Sequence, residues 1–190
     1  TADASTVTGI TISSGGVISV AATTAAGTYS MTVTATDVVG ATGTKASTVT
    51  VSKASLTVTA SSHTVQYGAD IPTVTPSYAT FVNSEDASSA SFTTGLTAPT
   101  CTTTYVVTSA FGSSPTTSCS GGSSANYTFT TYTAGAVTIQ KRSMTVIASS
   151  PSVTYGDAVP TITPSYSGCM NSENASSSAF TTGLTATTCS

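Results

Sequence analysis

The chain has 190 residues and a formal net charge of −3, with only four basic side chains. Four cations cannot form a basic patch that neutralises a phosphate backbone. We therefore expect no nucleic-acid binding. No apolar run approaches the roughly 20 residues that span a bilayer and no signal peptide opens the sequence, so we expect no membrane insertion by this segment.

The composition favours β-strands. Ser and Thr account for 77 of the residues, and only 6% of the chain is charged. Alternating runs such as residues 31–36 (Met-Thr-Val-Thr-Ala-Thr) suit a pleated, half-buried sheet, because β-branched side chains pack well there. The sequence therefore predicts a mainly β protein whose solvated faces carry hydroxyl groups in place of charges.

Residues 1–52 contain short strand-like runs separated by turns at Gly15-Gly16, Ala26-Gly27 and Val39-Gly40. Short strands with such turn signals are typical of a β-sandwich. The pattern lacks the first strands of such a domain. Residues 1–52 are therefore predicted to be the C-terminal part of an Ig-like module.

The rest of the chain contains a repeat. Residues 53–102 and 141–190 align without a gap and are identical at 31 of 50 positions. The phrase YGADIPTVTPSY at 67–78 returns as YGDAVPTITPSY at 155–166. A period of 88 residues is too long for a solenoid unit of about 20–50 residues and suits a small tandem domain. We expect a complete module at 53–140 and a truncated second copy at 141–190.

The repeated phrase is interpreted as a corner of the fold. Gly68 can adopt a positive φ, and Pro76 belongs at a sheet edge or a strand end because it lacks an N–H donor. The following stretch, residues 83–90 (Asn-Ser-Glu-Asp-Ala-Ser-Ser-Ala), is predicted to form a short helical turn capped by Ser84.

Glu85 and Asp86 in this turn are the candidate metal ligands. Calcium prefers six to eight oxygen ligands, usually with several carboxylates. The second copy has Glu173-Asn174 and so loses one carboxylate. A capped surface turn is favoured over a calcium site, and no metal or cofactor is predicted.

Residues 53–190 resemble tandem MBG domains, which are repeat modules of large bacterial surface proteins. Residues 9–51 resemble the second half of a cadherin-like putative-Ig module. The first resemblance is carried by residues 56–60 (Leu-Thr-Val-Thr-Ala), Tyr67-Gly68, Asn126-Tyr127-Thr128 and residues 135–139 (Gly-Ala-Val-Thr-Ile), and the second by Gly9-Ile10-Thr11, Gly16-Val17-Ile18 and Gly27-Thr28-Tyr29. The resemblance implies an extracellular location, no catalytic residues, and small Ig-like sandwich or β-grasp-like modules that form an elongated rod.

The four cysteines favour a disulfide framework in an oxidising compartment, because no C-x-x-C spacing or nearby His indicates zinc. Four buried free thiols are the alternative. Cys101 and Cys119 lie within the complete module and are predicted to pair, which would contribute about 3 kcal/mol of stability. Cys189 is the repeat counterpart of Cys101, and Cys169 replaces Phe81; the partners of Cys169 and Cys189 are left open.

Two sequons, Asn126-Tyr127-Thr128 and Asn174-Ala175-Ser176, make Asn126 and Asn174 candidate N-glycosylation sites. The Ser and Thr content also permits O-glycosylation. An isopeptide crosslink between Lys53 and Asn126 is a further alternative, although no adjacent acid is identified for it.

No enzyme is predicted. His63 is the only histidine and its repeat counterpart is Pro151, and no Gly-x-Ser-x-Gly elbow is present. A sugar-binding surface would need exposed aromatic rings, but strand alternation places at least half of the candidate rings in the core. These candidates are Tyr105, Phe111, Tyr127, Phe129 and Tyr132.

The favoured function is a stalk segment of a long extracellular surface fibre, with neighbouring modules as its partners. Strand-to-strand junctions without Gly/Ser linkers predict stiff hinges. The first alternative is a subunit of a self-assembling filament, completed by donor-strand exchange between identical subunits. The second is an adhesin module that binds cell-surface glycans or a host surface.

Overall fold

A computed structural model of the chain describes residues 2–4, 7–182, 184 and 185. Strands make up 42% and helix 4% of the structure, so the mainly β prediction is confirmed for the described residues. The chain divides into two compact units. Unit 1 comprises Thr1–Ser61, Val74–Thr102 and Ser118–Gly135, and unit 2 comprises Ser62–Thr73, Thr103–Thr117 and Ala136–Ser190. The module boundaries after residues 52 and 140 stay predictions.

The elements follow one another as short strands with two single-turn helices. They are β1 (Ala2–Ala4), β2 (Ile10–Ile12), β3 (Ile18–Val20), β4 (Gly27–Thr36), β5 (Thr42–Val51), β6 (Ala54–Ala60), β7 (His63–Gln66), β8 (Pro76–Ala79), α1 (Ala90–Thr93), β9 (Thr100–Thr103), β10 (Thr116–Ser120), β11 (Tyr127–Thr133), β12 (Gly135–Gln140), β13 (Thr145–Ala148), β14 (Pro164–Ser167) and α2 (Ser178–Thr181).

The first part of unit 1 is built on the long antiparallel hairpin of β4 and β5, which β1 joins along β4. Its turn is fixed by Asp37, whose Oδ1 accepts hydrogen bonds from the amides of Val39 (2.9 Å) and Ala41 (2.8 Å). Gly40 supplies the positive φ of 89° that the turn requires. Strands β2 and β3 form a separate hairpin.

Strand β6 forms the centre of a second sheet in unit 1, with the order β11-β6-β8. Leu56 and Val58 are fully buried and Ala60 is nearly so, while the alternate Thr57 and Thr59 are half-buried. Burying such a Leu or Val side chain contributes about 1.5–3 kcal/mol relative to exposure. These residues pack into one core with Phe92, Cys119, Tyr127 and Phe129.

The prediction for Pro76 is confirmed. Strand β8 begins at Pro76 and lies at the edge of its sheet, paired only with β6 among the named strands. Proline has no N–H to donate to a neighbouring strand. The repeated Thr-Pro-Ser-Tyr phrase therefore suits an edge strand, which has a partner on one side only.

Two strand pairs are parallel. In unit 1, β6 pairs with β11 and, beyond a bulge between Phe129 and Thr131, Thr131 faces Thr57. In unit 2, β7 pairs with β12, and Val137 faces His63. These two residues are as far apart in the sequence as Thr131 and Thr57. Strand β12 belongs to a sheet of order β7-β12-β10-β9. Parallel pairs depart from the antiparallel sheets of an Ig sandwich.

Unit 2 has a small core in which Tyr105, Val137 and Ile139 are buried and Val65 and Tyr67 pack against them. Its described second-repeat part contains the antiparallel pair β13–β14 and helix α2. Here Met144 is 37% and Val146 48% exposed, whereas their counterparts Leu56 and Val58 are fully buried. Strand β13 has only β14 as a partner among the described strands.

The predicted helical turn at 83–90 is wrong in its position. Helix α1 covers Ala90–Thr93 after Ser89, and no side chain caps it. Ser84 instead has a left-handed backbone with φ of 57°. Side-chain hydrogen bonds from Ser88 and Ser89 to Asp86 hold the intervening residues in a turn, and such local bonds compete with helix formation.

Candidate functional site

The described residues contain no group of three or more His, Cys, Asp or Glu side chains arranged to hold a metal ion. They also contain no helix long and apolar enough to cross a bilayer. His63 lies half-buried on β7. An Asn-Ser-Glu turn occurs twice, at residues 83–85 in the first repeat and at 171–173 in the second. Its side chains form hydrogen bonds with distant segments of the chain.

Both copies of the Asn-Ser-Glu turn have an unusual backbone. Asn83 and Ser84 each have φ of 57°, and Asn171 and Ser172 have φ of 54° and 61°. A left-handed conformation costs a residue with a side chain about 1–2 kcal/mol, and Asn tolerates it best. The same strained pair therefore occurs twice, where the sequence also keeps the same residues.

The residue after each turn accepts hydrogen bonds that hold the following residues. Asp86 Oδ1 accepts hydrogen bonds from Ser88 N (2.8 Å) and Ser88 Oγ (2.6 Å), and Asn174 Oδ1 accepts the equivalent two from Ser176 (2.9 and 2.6 Å). The Ser88 hydroxyl bond, followed by the Ser88 amide bond, lowers the pKa of Asp86 below its ordinary value. The amide oxygen of Asn174 accepts the same two hydrogen bonds as the carboxylate oxygen of Asp86. This shared role explains why Asn can replace Asp at this position, and the explanation needs no metal ion.

Glu85 binds inside its own module. The buried Tyr127 donates its hydroxyl hydrogen bond to the Glu85 carboxylate, and Val82 N donates to the same hydroxyl (3.4 Å). Burial, and then the bond to Glu85, raise the pKa of Tyr127 above its ordinary value. The second candidate metal ligand is thus a hydrogen-bond acceptor for a core tyrosine.

Asn83 and Asn126 connect this module to residues 22–26 within unit 1. Asn83 Nδ2 donates to the Ala22 carbonyl (2.9 Å), and Asn126 Oδ1 accepts from Ala26 N (2.9 Å). Asn126 Nδ2 donates to the Ser91 carbonyl (2.9 Å). Glycosylation of Asn126 stays a prediction. Asn174 is exposed and stays a candidate.

In unit 2, the second Asn-Ser-Glu turn contacts residues of the first repeat. Tyr67 donates its hydroxyl to the Glu173 carboxylate, and this bond raises the pKa of Tyr67. Asn171 Nδ2 donates to the Val107 carbonyl (3.1 Å). Gly68 has φ of 76°, and a Cβ atom there would lie 2.7 Å from Met170 Cβ. The pair Tyr67-Gly68 therefore touches the second repeat through both residues.

The remaining predicted site residues have simple outcomes. Cys101 and Cys119 are joined in a disulfide. Lys53 Nζ donates a hydrogen bond to the Ser124 carbonyl (2.8 Å). The Asn126 amide is hydrogen-bonded to Ala26 and Ser91. The structure therefore gives no support to an isopeptide crosslink between Lys53 and Asn126. Cys169 is half-buried, and the question of its pairing with Cys189 lies outside the described residues.

The aromatic residues divide as strand alternation predicted. Tyr105, Tyr127 and Phe129 are buried, whereas Phe111 is 57% and Tyr132 39% exposed. The Lys141 ammonium lies 5.1 Å from the centre of the Phe111 ring, a cation–π distance. Phe111 belongs to unit 2 and Tyr132 to unit 1.

A cavity of about 690 Å³ lies in unit 2 against the second repeat. Its apolar lining includes Met144, Cys169, Phe180 and Leu184, the counterparts of Leu56, Phe81, Phe92 and Leu96. In the first repeat the latter four pack with Tyr127 and Phe129 of β11. Four apolar residues that line the cavity therefore correspond to residues that pack with β11 in the first repeat.

Sequence reasoning missed the contacts of both turns with other segments of the chain. It treated residues 83–86 as a helix cap or a metal site, and Tyr67-Gly68 as a corner. The available signal was the identity of Asn, Ser and Glu in both copies, next to a neighbour that varies from Asp86 to Asn174. Pairwise partners could not be read from it, because Tyr67 and Glu173 are 106 residues apart.

Comparison with known families supplies one match. Residues 56–138 match the family described as MBG domain (YGX type). Domains of this family are repeat modules of surface proteins and are not known as enzymes. No curated protein and no solved structure matched the chain.

Proposed function

We propose that this chain, which contains an MBG domain of the YGX type at residues 56–138, is a segment of an extracellular surface fibre and acts as a mechanical spacer. In this role its modules follow one another end to end and hold a more distal part of the fibre away from the cell. The partners of each module are then its neighbours in the same chain.

The observation that carries the proposal is the parallel pairing of early with late strands of the module. Strand β6 pairs with β11, and β7 pairs with β12. When tension pulls on the start of one strand and the end of its parallel partner, the two must slide past each other. All hydrogen bonds of the pair then resist together, whereas a hairpin pulled at its open end loses its bonds one by one.

The disulfide supports the same role. Cys101 lies on β9 and Cys119 on β10, and they are 18 residues apart in the chain. A covalent bridge between these strands removes the intervening loop from any extension under load. The bridge therefore limits how far the module lengthens if its strands separate.

Single-molecule pulling of the chain between its two ends tests this function. We expect a distinct unfolding force peak, and an extension that grows by about 60 Å after reduction, because 18 residues at about 3.3–3.6 Å each are released. In a variant with Cys101→Ala and Cys119→Ala, the longer extension should occur with or without reductant. Gradual lengthening without a force peak would argue against a load-bearing module.

A second function is favoured by one observation. Among the described strands β13 pairs only with β14, and Val146 and Ile147 on it are 48% and 55% exposed. In the first repeat the corresponding edge is occupied by the parallel strand β11. A β11-like strand from an identical subunit would fill this place, which is the donor-strand filament expected as the alternative.

A further inference from the structure

The Tyr-Gly pair occurs twice, and its two copies differ in environment. Tyr67 and Gly68 are half-buried and contact the second repeat. Tyr155 is fully exposed, and a Cβ atom on Gly156 would meet nothing within 4 Å. Both glycines have a positive φ, 76° at Gly68 and 95° at Gly156, so the local corner favours glycine in both copies. The contact with the second repeat is made by the first copy of the pair.

The partner of Tyr67-Gly68 is the second copy of the Asn-Ser-Glu turn. The Tyr67 hydroxyl donates to Glu173, and Gly68 leaves room for the Met170 side chain just before the turn. Asn171 adds a bond to the Val107 carbonyl. Three side chains within residues 170–173 thus contact the preceding module: the apolar chain of Met170, the amide of Asn171 and the carboxylate of Glu173.

In the first copy of the turn, the asparagine makes the same kind of contact with the segment that precedes it. Asn83 Nδ2 donates to the Ala22 carbonyl at 2.9 Å, as Asn171 Nδ2 donates to the Val107 carbonyl at 3.1 Å. Each acceptor lies in a loop of the preceding segment, between β3 and β4 or between β9 and β10. The strained left-handed Asn is therefore used twice to hold the chain that comes before its module.

The carboxylate of the turn has capacity for two tyrosines. Glu85 accepts from Tyr127 of its own module, and Glu173 accepts from Tyr67 of the preceding one. A carboxylate has two oxygens and about four acceptor positions. One Glu can thus serve its own core and the neighbouring module together.

We propose that Tyr67-Gly68 is a docking surface for the Asn-Ser-Glu turn of the following repeat, so that the partner of this surface is a second copy of the module that carries it. The tyrosine donates to the turn's carboxylate, and the glycine admits the side chain before the turn. The asparagine of the turn fixes the approach through a carbonyl of the preceding module. The role of this docking surface in a fibre rests on the proposed spacer function, whereas the docking contact itself does not.

Paired glycine substitutions test the docking surface in the full chain. Gly68→Ala and Gly156→Ala share the strain of a positive φ, but only Gly68→Ala places a Cβ against Met170. We expect amide hydrogen exchange in β13 and β14 to become at least about tenfold faster in Gly68→Ala than in Gly156→Ala. Met170→Gly removes the Cβ atom that the new side chain would meet at 2.7 Å, and added to Gly68→Ala it should recover most of this difference. Equal exchange in the two single variants would overturn the proposal.

A conservative variant keeps the test decisive if Gly68→Ala disturbs the whole fold. Glu173→Gln retains the shape of the side chain, and we expect the pKa of Tyr67, followed by NMR of labelled tyrosine, to fall toward its ordinary value. Tyr155 in the same spectra is the internal control and should not change. A Tyr67 titration identical in wild type and Glu173→Gln would contradict the docking bond. Neither readout depends on mechanical load, so the spacer function and the docking surface can fail separately.

Discussion

Replacing both Cys101 and Cys119 with alanine should lower the free energy of unfolding of unit 1 by about 3 kcal/mol. The bridge closes a loop with a sequence separation of 18, and the chain-entropy model gives about this value for a loop of that length. Cys119 is also buried in the aromatic core, so its truncation adds a small packing loss. Urea unfolding followed by tyrosine fluorescence measures the change, since the chain has no tryptophan.

Reduction provides the matched control for this prediction. Reducing the wild-type chain should reproduce most of the loss, and reductant should have no further effect on unit 1 of the double alanine variant. An unfolding midpoint that is the same in the wild type and the variant would contradict a stabilising bridge.

Phe92→Ala should destabilise unit 1 by about 3–5 kcal/mol, the range for removing a fully buried Phe side chain. The Phe92 ring is completely buried. It packs edge-to-face with Tyr78 and Phe81, at centroid distances of 4.9 and 5.1 Å, and contacts two further rings of β11. Its removal leaves a cavity at the centre of the cluster, and chemical unfolding measures the loss.

The repeat supplies the control residue. Phe180 occupies the position of Phe92 in the second copy and packs edge-to-face with Tyr166 at 4.9 Å. It borders the cavity and is only half-buried. Phe180→Ala should therefore cost less than half as much as Phe92→Ala. Equal losses would mean that the two repeats have equally complete cores, against the structure.

Much of the first module could be predicted from local patterns. The alternation of Leu56, Val58 and Ala60 with threonines is a pattern from which the buried face of β6 can be read, because side chains in a strand alternate between its faces. Pro76 indicated a strand end because it lacks a donor. The Cys101–Cys119 pair followed from their location in one module. Each of these inferences depends on a residue and its near neighbours.

The missed features depend on partners far along the chain. The parallel pairing of β6 with β11 joins Ala54 to Tyr127, and hydrophobic periodicity does not specify the direction of a partner strand. The position of α1 was missed because the hydrogen bonds of Asp86 compete with a helix. The docking of Glu173 on Tyr67 required a contact between two repeats, which no pattern within one repeat reveals.

Native protein from intact source cells tests the account most directly: brief protease treatment shows whether this segment is at the cell surface, and extraction without protease gives the mass and the association state of the whole chain. The spacer function predicts that peptides of this segment are released from the cell surface. It also predicts that the undigested protein is one covalent chain far heavier than 18.6 kDa and monomeric without denaturant. A chain near 18.6 kDa that forms polymers, which dissociate only on denaturation, would contradict the spacer and favour the donor-strand filament.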